Sequence, residues 1–327
     1  MLTSGAVAVT LLGVGLALLL AGAEGLVRGA ARLAGRVGVA PLAIGLTVVA
    51  FATSAPELAI TVRAALGAPE EMPIAVGNIV GSNIANILLI LGAAALVAPL
   101  VVAPAARRRD VPLMVGVSCV VPLLAAPTGA VGLAAGAALL LGLVGYLTWV
   151  LRSGRDPAWR ETAPLQPPSG TSALREVLLV VGGTGLLVLG AHWMVLGAGD
   201  LARTLGFSEL VIGLTVVAVG TSLPELATSV LAVWRGQRDL AVGNVVGSNL
   251  LNLLAVLGVA GVLTPGGIAV PAVVFRVDLP VMIAAAALCW LLCARTGRIG
   301  RGWGGVLLGL YAVYLGGLYL GYAWGYS

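Results

Sequence analysis

The chain has 327 residues, of which 60% are hydrophobic and only 9% charged, and its mean hydropathy is +1.08. Soluble globular domains carry about 25% charged residues, so this composition excludes an ordinary soluble protein and indicates a polytopic membrane protein. Continuous apolar runs of about 20 residues suit spanning helices, whereas a barrel reads as short alternating segments.

Cutting at polar and Pro/Gly-rich breaks predicts about ten helical segments: 5–35, 40–67, 73–99, 111–128, 129–151, 175–204, 208–234, 240–263, 270–294 and 302–325. The first lacks a basic leader and an A-x-A-like cleavage site, so it reads as a transmembrane helix rather than a signal peptide. Cys119, Cys289 and Cys293 all lie in apolar segments, where small-residue packing is the expectation and a disulfide or metal site is not. Residues 152–174 form a polar, proline-containing stretch that reads as a solvated linker at the midpoint. The expected organisation is therefore one five-helix half over 1–151, a cytoplasmic loop over 152–174 and a second five-helix half over 175–327.

All 18 basic residues are arginines. Arg28, Arg32, Arg36, Arg107, Arg108, Arg109, Arg152, Arg155, Arg160, Arg175, Arg235, Arg238, Arg295, Arg298 and Arg301 fall on one side of the alternating spans, and only Arg63, Arg203 and Arg276 on the other. The positive-inside rule makes the arginine-rich side cytoplasmic, with both termini and the loop near Glu70 and Glu71 outside. The net charge of +5 thus reports topology and gives no ground for a nucleic-acid partner.

An internal repeat crosses this plan. "GLTVVAFATSAPELA" (45–59) aligns with "GLTVVAVGTSLPELA" (213–227) at an offset of 168, differing at three positions. "AVGNIVGSNIANILLILG" (75–92) aligns with "AVGNVVGSNLLNLLAVLG" (241–258) at an offset of 166. Upstream, 22–35 lies weakly over 190–203. An odd number of spans per half gives the second copy the opposite polarity, which is the inverted-repeat construction of many secondary transporters.

The repeated stretches carry polar groups where bare packing favours Leu and Ala. Each T-S-x-P-E places a glutamate, Glu57 or Glu225, one residue after a proline in a span, where a charge costs about 2.5–3.5 kcal/mol. Each proline also frees a carbonyl one turn earlier. Ser82 with Asn86, and Ser248 with Asn252, are four residues apart and share a helix face. Gly77, Gly81, Gly243 and Gly247 are read as packing positions, and Asn78, Asn83, Asn244 and Asn249 as interhelical hydrogen-bonding residues. Two carboxylates among hydroxyl, amide and carbonyl oxygens, with no His, Cys or Met, suit Ca²⁺ or Na⁺ and not a transition metal.

These motifs, 45–92 and 213–258, resemble the paired alpha repeats of the cation/Ca²⁺ exchanger superfamily, specifically prokaryotic Na⁺/Ca²⁺ exchangers. The resemblance implies that Glu57 and Glu225 are the central Ca²⁺ ligands and that Thr53 and Thr221 supply backbone carbonyls. It further implies flanking Na⁺ sites made by Ser54, Ser82, Ser222 and Ser248 with the carbonyls of Ala50 and Ala218. Asn86 and Asn252 lie at the centre; some relatives have an aspartate at the second of these positions. The resemblance implies no cofactor, with Ca²⁺ and Na⁺ as transported substrates in the plasma membrane, and a first and sixth helix that slide across the rest.

The expected function is therefore Na⁺/Ca²⁺ antiport. The alternatives are H⁺/Ca²⁺ exchange, with the glutamates binding protons, and a passive cation channel, which inverted broken-helix halves suit less well. An enzyme is not expected, since no H-E-x-x-H, paired aspartates or nucleotide loop is present, and no obligate protein partner is evident. His192 is expected on a helix surface, Glu24 and Asp200 near helix ends, and Arg28 as an ion-pair partner of Glu24.

Overall fold

The computed structural model describes residues 2–67, 72–154, 172–204 and 218–323. The middle of the expected 152–174 loop, Glu70, Glu71 and the opening residues 213–217 of the second motif lie outside them. Ten helical rods follow one another among the described residues: α1 (Leu2–Val37), α2 (Pro41–Thr53 and Ala55–Leu66), α3 (Met72–Val97), α4 (Ala106–Asp110 into Val111–Ala125), α5 (Leu133–Ser153), α6 (Ala173–Thr204), α7 (Ala218–Thr221 and Leu223–Trp234), α8 (Arg238–Leu263), α9 (Val274–Thr296) and α10 (Arg301–Ala323). Six are long and apolar enough to cross a membrane, and the bent α2 pair makes a seventh.

The expected boundaries shift by a few residues. α5 starts at Leu133 rather than 129, because Ala130–Val131 is a short strand. α4 starts at Ala106 rather than 111, through a π-helical turn over Ala106–Asp110 that takes in Arg107, Arg108 and Arg109. Glu24 stands well inside α1 and not near its end; Asp200 is in the last turns of α6, and His192 is exposed, as expected.

Four two-residue strands fix the relation between the halves: β1 (Leu100–Val101), β2 (Ala130–Val131), β3 (Ile268–Ala269) and β4 (Arg298–Ile299). The 168-residue offset maps β1 onto β3 and β2 onto β4, yet the pairs formed are β1 with β4 and β2 with β3, both antiparallel. Six rods separate β1 from β4 and four separate β2 from β3, so each sheet closes on one face. Five separate β1 from its repeat image β3, which puts image strands on opposite faces. Opposite-face images are the signature of inverted topology.

α3 and α8 form the centre, with 78% and 83% of their most apolar 18-residue windows buried, against 28% for both α1 and α6. α1 and α6 pack on each other along their length. Glycines let their backbones meet: a Cβ on Gly22 would lie 2.6 Å from the Gly183 carbonyl oxygen, and one on Gly190 2.7 Å from that of Gly15. The same device brings α2 onto α8, where a Cβ on Gly243 would stand 2.6 Å from the Leu42 carbonyl and one on Gly247 2.7 Å from that of Leu46. The packing role expected of Gly243 and Gly247 is thus seen. A Cβ on Gly77 or Gly81 meets no described atom within 4 Å, and residues 210, 213 and 214, which repeat Leu42, Gly45 and Leu46, lie outside the described residues.

Candidate cation site at the crossing of the broken helices

α2 is interrupted at Ser54 (φ −83°, ψ 7°), and its two halves are bent by 48°. The cause is local: Pro56 has no N–H to give to the Ala52 carbonyl. Glu57 consequently falls in the first turn of the second half, where unpaired N–H groups and the helix dipole favour negative charge. The break leaves the Glu57 N–H, which in a continuous helix reaches the Thr53 carbonyl, close to the residue's own carboxylate. α7 repeats the break at Ser222 (φ −88°, ψ 5°), with Glu225 in the first turn after it.

The halves interlock through these breaks. Ser54 Oγ donates to Glu225 Oε1 at 3.1 Å, and Thr53 Oγ1 donates to Asn244 Oδ1 at 3.1 Å. Ser82 stands beside the Glu57 carboxylate, and Thr53 beside that of Glu225. Asn86 Nδ2 donates to Asn249 Oδ1 at 3.0 Å, tying α3 to α8. The Ala50 carbonyl accepts the Ser54 N–H at 2.9 Å and lies 3.3 Å from Thr53 Oγ1, as an alternative acceptor for that hydroxyl's one proton. Ala218 and Thr221 bound the short helical turn that leads into the α7 break.

Glu57 and Glu225 are each only 1% exposed and near enough for their charges to act on each other. Buried polar groups are ordinarily hydrogen-bonded, and each exception asks for an explanation. Glu57 Oε2, Glu225 Oε2, Ser222 Oγ, Ser248 Oγ, Asn86 Oδ1 and both polar atoms of Asn252 are buried without a partner. These seven atoms belong to expected site residues, and the other such atoms among the described residues are on Asn83, Asp110, Tyr146 and Thr228. Asn86 and Asn252 each open a π-helical turn, Asn86–Leu91 and Asn252–Val256, a distortion frequent at functional sites. Among the described residues no cluster of three or more His, Cys, Asp or Glu exists, so the donor set is two carboxylates plus neutral oxygens, suited to a hard cation.

Asn78 and Asn244 make the interhelical hydrogen bonds expected of them, and Thr61 and Ser229, not singled out from the sequence, complete the frame. Asn78 Nδ2 donates to the Glu57 carbonyl at 3.2 Å and to Thr61 Oγ1 at 3.0 Å; Asn244 Nδ2 donates to the Glu225 carbonyl at 3.5 Å and to Ser229 Oγ at 2.9 Å. These brackets are repeat images, and the offset that aligns Glu57 with Glu225 also aligns Thr61 with Ser229. Asn83 departs from the interhelical expectation, because its Nδ2 bonds Ile79 O within its own helix at 2.7 Å. Asn249 follows that expectation, accepting from Asn86 and donating to Met114 Sδ of α4 at 3.3 Å.

Broken helices of opposite polarity that meet at buried acidic residues are the construction of secondary transporters. The chain belongs to the sodium/calcium exchanger protein family, whose profile it matches over residues 7–152 and 176–320. It is 40% identical to inner membrane protein YrbG of Escherichia coli, covering 95% of this chain and 97% of that one. It is 31% identical to the sodium/calcium exchanger MaX1 of Methanosarcina acetivorans, covering 91% and 94%. Among solved structures, the sodium-calcium exchanger NCX_Mj soaked with 10 mM Na⁺ and zero Ca²⁺ superposes with a TM-score of 0.82 at 28% identity, over 96% of this chain and 99% of that one.

Proposed function

We propose that this family member exchanges Na⁺ for Ca²⁺ by alternating access, with Glu57 and Glu225 as the central Ca²⁺ ligands. Thr53 and Thr221 contribute carbonyls, and Ser54, Ser82, Ser222 and Ser248, with the Ala50 and Ala218 carbonyls, form flanking Na⁺ sites around Asn86 and Asn252. The supporting observation is the set of buried oxygens without partners on Glu57, Glu225, Ser222, Ser248, Asn86 and Asn252, which an entering cation supplies with a partner. α1 and α6, which pack on each other along their length, move as the sliding pair against the remaining rods. The arginine-rich face is cytoplasmic and both termini are outside; a cysteine introduced beside Arg160 is expected to react with an impermeant reagent only in opened cells.

Charge separates Na⁺ coupling from proton coupling. The two glutamates give the site a formal −2, which one Ca²⁺ neutralises. Three Na⁺, the number the family resemblance implies, leave +1, and moving that charge through the membrane potential is worth about 2.3 kcal/mol per 100 mV. Two protons leave the site neutral. The test is Ca²⁺ flux into liposomes with the potential clamped by K⁺ and valinomycin. Flux that requires Na⁺ and varies with voltage supports the proposal, and flux driven by a pH gradient, indifferent to Na⁺ and voltage, replaces it with H⁺/Ca²⁺ exchange.

A further inference from the structure

β1 and β4 bring together two arginine clusters almost 190 residues apart in sequence. Arg107, Arg108 and Arg109 follow β1, and Arg295, Arg298 and Arg301 surround β4, where Arg298 pairs with Val101. The clusters reach across to each other. A guanidinium nitrogen of Arg107 lies 2.9 Å from where a Cβ of Gly297 would stand, and Arg301 Nη2 donates at 3.0 Å to the carbonyl of Val97, the last residue of α3. Arg109 stands 5.8 Å over the Trp149 ring.

Asp110 acts on the charge of its neighbour Arg109, which leaves most of the cluster's charge uncompensated among the described residues. Elsewhere on the same face, Arg28 and Arg235 pair with Glu24, and Arg36 with Glu176; among the described residues the β1–β4 arginines form no ion pair. Nor does the architecture require them. The β2–β3 sheet is its repeat image on the other face, and there the corresponding positions are Phe275, Arg276 and Val277, and Pro127, Ala130 and Leu133, a single arginine in place of six.

We propose that the β1–β4 arginines form a binding site for the headgroup of an anionic phospholipid of the surrounding leaflet. Charge complementarity identifies the ligand as a phosphodiester, since guanidinium forks match its oxygens. The site's position identifies the source as the bilayer. Exposed Trp290 and Trp303, at 43% and 44%, flank the cluster on α9 and α10, as aromatic side chains do at the level of the headgroups. Four to eight basic residues next to the end of a span are a sufficient charge density for such recognition.

The test is native mass spectrometry of the full chain titrated with phosphatidylglycerol or with phosphatidylcholine of the same acyl chains. Three forms are compared: the native protein, R108Q/R295Q/R298Q, and R32Q/R152Q/R175Q as a control with equal charge loss on the same face. Arg108, Arg295 and Arg298 are exposed, so their replacement leaves packing intact, and R108K/R295K/R298K checks that charge rather than fold is lost. At about fivefold per arginine near a surface, the first triple variant is expected to lose phosphatidylglycerol affinity by tenfold or more, with the control close to native and the lysine variant, which keeps the charge but not the fork, losing less than the glutamine variant. The proposal is overturned by equal retention of both lipids, by an equal loss in the control, or by displacement of phosphatidylglycerol with millimolar inorganic phosphate, which would make the site one for a soluble anion.

Discussion

Glu57 and Glu225 are enclosed by protein, and each has a carboxylate oxygen without a partner, while Glu225 Oε1 accepts from Ser54. Removing an ion from water costs several kcal/mol even after relaxation, and packing alone does not require the charge. Gln keeps the shape of Glu and its hydrogen-bonding oxygen while removing the negative charge. E57Q and E225Q are therefore expected to fold with native thermal stability in detergent and to lose Ca²⁺ flux at least 100-fold in liposomes. Native flux from either folded variant would remove that residue from the site. These side chains were legible in the sequence because a proline and a carboxylate recur together at a fixed offset. Asn78 and Asn244 were legible as interhelical hydrogen-bonding residues but their partners were not, because these include the main-chain carbonyls of the glutamates, and a sequence does not record which carbonyls a helix break turns outward. The pairing of Arg235 with Glu24, 211 residues apart, was likewise invisible, although the Arg28–Glu24 contact one turn away was expected and is present.

The rods were legible to within a few residues because bilayer thickness sets their length. The two-residue strands were not, since so short a segment has no periodicity and exists only through its partner in the other half. The glycines of α1 and α6 carry a further regularity. Gly15, Gly22 and Gly29 map by the repeat offset onto Gly183, Gly190 and Gly197, at seven-residue spacing, and an added Cβ on any of the six would come within 3.0 Å of the partner helix. Gly182 and Gly185, on the same helix, have no described atom within 4 Å of such a Cβ. Overpacking of this kind typically costs about 1–3 kcal/mol, whereas Gly→Ala in an open helical position gains up to about 1 kcal/mol in propensity. G190A is accordingly expected to lower the thermal midpoint in detergent, and G182A to leave it unchanged or raise it. Equal midpoints for the two variants would mean that the glycine contacts do not hold α1 against α6.

At the scale of the whole molecule, inverted repeats carry a specific consequence: exchanging the conformations of the two halves converts a state open to one face into a state open to the other. Among the described residues, the halves differ in a repeated Tyr–Asp pair. Tyr314 of α10 donates to Asp278 Oδ1 of α9 at 2.8 Å. The images of these residues, Tyr146 on α5 and Asp110 on α4, are near enough to interact electrostatically, yet Tyr146 Oη and both Asp110 carboxylate oxygens are buried without a hydrogen-bond partner. Asp110 adjoins the arginine-rich face and Asp278 the opposite one. In an exchange of conformations between the halves that extends beyond the α1–α6 pair to α4, α5, α9 and α10, the Tyr146–Asp110 bond forms and Tyr314–Asp278 breaks, and the two tyrosines then support opposite access states. A net hydrogen bond of about 0.5–1.5 kcal/mol corresponds to a shift of roughly twofold to tenfold in the population ratio. Y314F is expected to deplete the conformation described here, and Y146F to enrich it. With Cys119, Cys289 and Cys293 replaced, spin-label distances between α1 and α7 report the balance in each variant. Shifts in opposite directions support the exchange, whereas shifts in the same direction, or none, would make the pairs independent of access and the asymmetry a feature of local packing.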